Sequence, residues 1–112
     1  MKIITDKLTL NELNALAANI FGNMVKAVVD VNREIIAVDA ELHSDLEALL
    51  LENGSKQKDL WGINFYPELK GDEFVEFDSM INVRPSHGNK SRGVDNKEIC
   101  SKIIEIVAKR VK

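Results

Sequence analysis

The densest set of residues able to do chemistry is Arg84-Pro85-Ser86-His87-Gly88-Asn89-Lys90-Ser91-Arg92-Gly93. It holds three permanent cations, a titratable histidine, two hydroxyls and two glycines that permit unusual backbone angles. Consecutive N–H groups in such a loop form an anion-binding nest. The forked donors of Arg84 and Arg92 suit phosphate. The candidate anion-binding residues are therefore Arg84, Ser86, His87, Gly88, Asn89, Lys90, Ser91 and Arg92. Two features pull the other way. Asn89 precedes Lys90-Ser91, so the phosphate-loop motif with Gly before Lys-Ser is absent. Asp95, the expected cap of the next helix, would compete with an anion there. The plain alternative is a solvated connector, polar because it is exposed.

Three other sets are weaker. Asp39, Glu41, His43 and Asp45 form a carboxylate-rich cluster of the kind that suits Mg²⁺ or Mn²⁺. Their spacing matches no tight metal motif, and no second His or Cys is near for zinc, so we expect no metal and no cofactor. The plain alternative pairs Asp39 with Lys26, leaves Glu41 in solvent and sets His43 ahead of a helix. A polar strand face carries Asn64, Glu76, Asp78, Asn82 and Arg84, with His87 beyond it. There Glu76 as base, His87 as acid and Arg84 on the phosphorane would cleave a phosphodiester. The alternative is the ordinary wet face of a half-buried sheet. Cys100 falls in the first turn of the last helix, where the dipole lowers a thiol pKa; a buried structural thiol is the simpler reading.

The elements that position these residues announce themselves. Thr9-Leu10-Asn11-Glu12 is a capping box, with Leu8 and Leu13 as its staple. Leu13, Leu16, Ala17 and Ile20 form the stripe, and Gly22 suits the end of the helix. Met24 to Val31 and Glu34 to Glu41 read as a hairpin about Asn32-Arg33. Its register pairs Val31 with Glu34, Val29 with Ile36, Ala27 with Val38 and Val25 with Ala40 on an apolar face. Asp30 with Ile35, Val28 with Ala37 and Lys26 with Asp39 share the other. Ser44-Asp45-Leu46-Glu47 starts a second helix with Leu46, Leu49 and Leu50 inward, stopped at Asn53-Gly54-Ser55. Leu60 to Tyr66 and Phe74 to Arg84 read as a second hairpin, in which Phe65 meets Val75, Ile63 meets Phe77 and Trp61 meets Ser79. Asp95 caps a last helix striped by Ile99, Ile103, Ile106 and Val107.

The expected fold is α+β, in the order α-β-β-α-β-β-α. A four-stranded antiparallel sheet carries three helices on its apolar face or edges, and its other face stays open. The strand order is left open.

At 112 residues and 45% apolar content, the chain suits one compact domain, residues 1–112, without staples. One cysteine excludes an intrachain disulfide. Its longest apolar runs are four residues, too short to span a bilayer. The first residues carry no apolar signal core, and a lone cysteine fits a reducing cytoplasm. A net charge of -3 excludes a uniformly basic nucleic-acid wrapper. The charge is uneven, however. Residues 30–83 hold thirteen acids against four Lys or Arg, a net of -9, while residues 84–112 hold eight Lys or Arg against three acids, a net of +5. A basic end on the last helix, where its dipole favours cations, accounts for part of this.

Three stretches, Ala37 to His43, Leu60 to Asn64, and Ile81 to Pro85 with Gly88-Asn89, resemble small uncharacterised bacterial and archaeal proteins of about this length. The resemblance spans nearly the whole chain. It implies a single compact domain and carries no function. From the residues themselves we expect a non-catalytic module that binds an anionic partner through residues 84–93: nucleic acid, a nucleotide or an acidic protein. The alternative is a small phosphodiesterase or ribonuclease using Glu76, Arg84 and His87. No membrane partner is expected, and self-association through sheet edges is a further option.

Overall fold

The computed structural model describes residues 1–112. Five strands form one antiparallel sheet: β1 (Lys2–Ile4), β2 (Val25–Asp30), β3 (Ile35–Val38), β4 (Leu60–Phe65) and β5 (Val75–Glu76). Their order is β1-β3-β2-β4-β5. Three helices complete the fold: α1 (Leu10–Asn19), α2 (His43–Glu52) and α3 (Lys97–Arg110). The α+β class stands, and the sheet has five strands rather than the expected four. The added strand, β1, pairs with the free edge of β3, Lys2 opposite Val38 and Ile4 opposite Ile36. Three residues are too few to show an alternation in the sequence.

The first hairpin keeps its expected register from Ala27↔Val38 to Asp30↔Ile35. Its turn is wider than two residues. Asp30 Oδ1 accepts the N–H groups of Asn32 and Arg33, both at 2.9 Å, and the Glu34 N–H donates to the Asp30 carbonyl. The left-handed residue is Glu34, at φ +58°, not Asn32. The expected Lys26–Asp39 charge pair does not form, because β3 ends at Val38 and Asp39 turns away at φ +76°. The Asp39 carboxylate lies 3.6 Å from the Met1 amino group, and the Lys26 ammonium sits over the Phe21 ring.

Helices cover both faces of the sheet. On one, Ala27, Val29, Ile36, Val38, Trp61, Ile63 and Phe65 pack with Leu13, Leu16 and Ala17 of α1 and Ile103, Ile106 and Val107 of α3. On the other, Val28, Ile35, Ala37 and Leu60 pack beneath Leu46 and Leu50 of α2. The open face expected from the sequence is thus closed by α2. The central strands therefore read as continuous apolar runs, the pattern of a sheet buried on both sides.

Helix starts differ in detail. The α1 capping box forms as expected, with Thr9 Oγ1 accepting from Glu12 N–H at 3.1 Å. Helix α2 begins at His43 after Leu42 and has no side-chain cap, so Ser44 lies inside it. Helix α3 is capped by Asn96, whose Oδ1 accepts from the Glu98 and Ile99 N–H groups. Asp95 is left for another task.

The second hairpin is short. Phe65↔Val75 and Asn64↔Glu76 pair as expected, then the chain leaves the sheet. Residues expected as strand up to Arg84 instead contain a 3-10 turn at Met80–Asn82, followed by another at Pro85–His87. Gly62 gives the reason. A Cβ there would stand 2.5 Å from Ser79 Cβ, so Ser79 packs directly onto the Gly62 backbone. Beside it, the buried Asn82 accepts from the Gly62 N–H at 2.8 Å and donates to the Gly62 carbonyl at 3.0 Å. One side-chain amide replaces the missing strand. Asn82 and Asn64, expected on a wet face, are both buried.

Candidate functional site

Arg84 opens the candidate segment, and its guanidinium is held by the protein itself. Nε donates to the Ile81 carbonyl at 3.0 Å, one terminal nitrogen to the Gln57 carbonyl at 2.9 Å, and the other to the Leu60 carbonyl. Its central carbon lies 4.4 Å from the centre of the Trp61 ring, a cation–π stack. No carboxylate lies within ion-pair distance of it. Burial disfavours its charged form, and the charge of Glu47 on α2 partly offsets that.

The loop beyond is a tight hairpin. Arg84 and Asn89 exchange backbone hydrogen bonds at 2.8 and 3.1 Å around the Pro85–His87 turn, and Gly88 closes it at φ +84°. A side chain at Gly88 would be strained in that conformation, although there is space for one. Asn89 is buried and ties the segment together. Its Nδ2 reaches the carbonyls of Asn82, Ser91 and Gly93, and its Oδ1 accepts from the Asp95 N–H.

The expected nest at Lys90-Ser91 is filled from within. The Asp95 carboxylate accepts from the Lys90 N–H at 2.9 Å and from Ser91 Oγ at 2.6 Å. The Ser91 and Lys90 donors hold its carboxyl below the usual carboxylate range. Arg92 is paired with Asp78 at 2.5 Å. Of the eight candidate residues, Arg84, His87, Gly88 and Asn89 line one cleft. Ser86, Lys90, Ser91 and Arg92 do not.

That cleft has a volume of about 520 Å³, within the usual small-molecule range of ~300–1,000 Å³. Its other walls are Lys58, Trp61, Asn96 and Ile99, and no acidic residue lines it. Lys58 follows from the Gln57–Asp59 turn, which Arg84 fastens to the loop. The sequence shows no link between Lys58 and residues 84–89. The link is tertiary, made where β4 and the two turns after it converge. Asn96 contributes its cap and leaves Nδ2 free, while the buried Trp61 Nε1 has no partner.

Glu76 lies elsewhere. It accepts from Asn64 Nδ2 at 2.9 Å and from Tyr66 O–H at 3.1 Å, beside Asp72 and Glu73 in a separate acidic cleft. Glu76, Arg84 and His87 therefore do not line a common cleft. The Asp39–Asp45 set is also dispersed, with Asp39 at the N-terminus. His43 Nε2–H donates to the Ile63 carbonyl at 2.8 Å, and burial pushes its pKa down. Burial and the nearby Asp95 charge raise the pKa of the Cys100 thiol, which donates to the Val94 carbonyl at 3.2 Å. The dipole effect expected at that helix start does not prevail. No helix is long and apolar enough to cross a membrane.

Fold and cleft together define an α+β protein with a two-sided helical cover and a cation-lined cleft at the N-terminal end of β4. The chain belongs to the family described as protein of unknown function (DUF5674), whose model matches residues 2–110. No curated protein and no solved structure matches it.

Proposed function

We propose that the protein is a non-catalytic binding module for a small phosphate-bearing anion, seated in the cleft between Lys58, Arg84, His87 and Asn96. The observation that carries this is the Arg84 charge. A half-buried guanidinium with no carboxylate beside it faces a cleft that has two further basic side chains and no acid. Burial makes its charge costly, the charge of Glu47 offsets that only in part, and an anion supplies further compensation. The volume favours a small ligand over an extended acidic protein surface. We further propose a cytoplasmic location, a reducing compartment that suits its one free thiol.

Arg84 acts mainly by its charge, since three backbone carbonyls already take three of its five N–H groups. Lys58 and His87 supply the free donors. The test is an amide NMR titration with inorganic phosphate, at low and then moderate salt. Shifts confined to residues 58–61, 84–89 and 96–99 that persist with added salt are expected. Shifts spread over the basic surface of α3, or none at all, would overturn the proposal.

A further inference from the structure

We infer that the ligand of this cleft is a nucleotide, with its base lying on the outer face of the Arg84 guanidinium and its phosphate on Lys58 and His87. The inference rests on the anion-binding proposal and goes further, to the class of ligand. It begins from how little of Arg84 is left for a ligand. A guanidinium offers five N–H donors, all in its plane, and two faces. Three donors, one on each nitrogen, go to the carbonyls of Ile81, Gln57 and Leu60. One face lies on Trp61. Two N–H donors remain, one on each terminal nitrogen.

Arg84 lines the cleft, and we take its face away from Trp61 as the surface that a ligand meets. That face is flat, cationic and fixed by three hydrogen bonds and a stacked indole. Guanidinium planes and aromatic rings are the surfaces on which proteins stack nucleobases. A planar ring there continues the Trp61–Arg84 stack by one layer. Ile99 adds apolar wall, and the free Nδ2 of Asn96 offers a donor to a base carbonyl or ring nitrogen. Lys58 and His87 are left for the phosphate, with no acid on the cleft wall to repel it. A cleft of about 520 Å³ has room for a mononucleotide.

Trp61 is the only tryptophan in the chain, so its fluorescence reports the stack directly. Adenosine monophosphate, uridine monophosphate, ribose 5-phosphate and adenosine are titrated separately against the full chain. Both nucleotides should change the emission and bind more tightly than ribose 5-phosphate by at least about fivefold, the lower end of what stacking a base contributes. Lys58→Ala should weaken the nucleotides and leave adenosine unaffected. If ribose 5-phosphate binds as tightly as the nucleotides, the stacked base is wrong while the anion site survives. If no phosphate compound binds, both proposals fail.

Discussion

Asn82 stands in for a β-strand beside Gly62. Its side-chain amide accepts from the Gly62 N–H at 2.8 Å and donates to the Gly62 carbonyl at 3.0 Å, while its second Nδ2 hydrogen reaches the Arg92 carbonyl at 2.9 Å. The sheet edge is closed by a side chain where β5 has already departed. The following chain is thereby freed to form the two turns that carry Arg84 and His87 to the cleft.

Replacing Asn82 with Leu should keep the branched shape and orphan two buried backbone groups of Gly62. Each orphaned group costs about 1–3 kcal/mol. The urea midpoint at neutral pH should drop accordingly, and an unchanged midpoint would show that water or a shifted backbone takes over the role.

Gly62→Ala should also destabilise, by about 1–3 kcal/mol, through overpacking against Ser79. Adding Ser79→Gly removes both of the closest atoms and should recover part of the loss. Strictly additive losses in the double variant would mean that the clash is relieved some other way.

Glu34 is held in a left-handed turn by Lys102 and Lys109, each at 2.8 Å, and its carbonyl accepts from Arg110. The two lysines lower its pKa from the ordinary 4.5 to about 2. A carboxylate with a lowered folded pKa stabilises the fold above its unfolded pKa, and loses that contribution as pH falls through the folded value. Melting temperatures of the wild type and Glu34→Gln should differ most near neutrality and converge between pH 4.5 and 2. A gap independent of pH would place the effect in the turn conformation rather than the charge.

His43 supplies a second pH dependence. It is buried with its Nε2–H on the Ile63 carbonyl, and burial lowers its pKa below the ordinary 6.5. The unfolded chain then binds the proton more readily, so the fold loses stability as pH drops below 6.5 towards the folded value. Urea midpoints measured at neutral and mildly acidic pH should fall more steeply for the wild type than for His43→Gln. Parallel falls would remove His43 as the cause.

Local signals were the legible part of the sequence. The Thr9 capping box, the register of the first hairpin and the Ile103–Ile106–Val107 stripe all depend on neighbours within a few residues or across one turn. Features set by distant packing were not legible. Strand β1 exists because β3 has a free edge, and residues 77–84 leave the sheet because Ser79 and Asn82 fit the bare backbone of Gly62. The candidate loop is legible as a cation- and glycine-bearing segment, but its internal pairings are not. Its nest holds Asp95 and its Arg92 holds Asp78. Composition cannot show whether an arginine donates to a ligand or to its own backbone, and Arg84 does the latter.

The central claim is that one cleft, rather than the general basic surface, takes the anion. The most direct measurement compares adenosine monophosphate affinity in the wild type, Lys58→Glu and Lys70→Glu at moderate salt. Both substitutions change the net charge equally, but only Lys58 lines the cleft. The expected result is loss of binding in Lys58→Glu and wild-type affinity in Lys70→Glu. Equal weakening in both variants would contradict the claim.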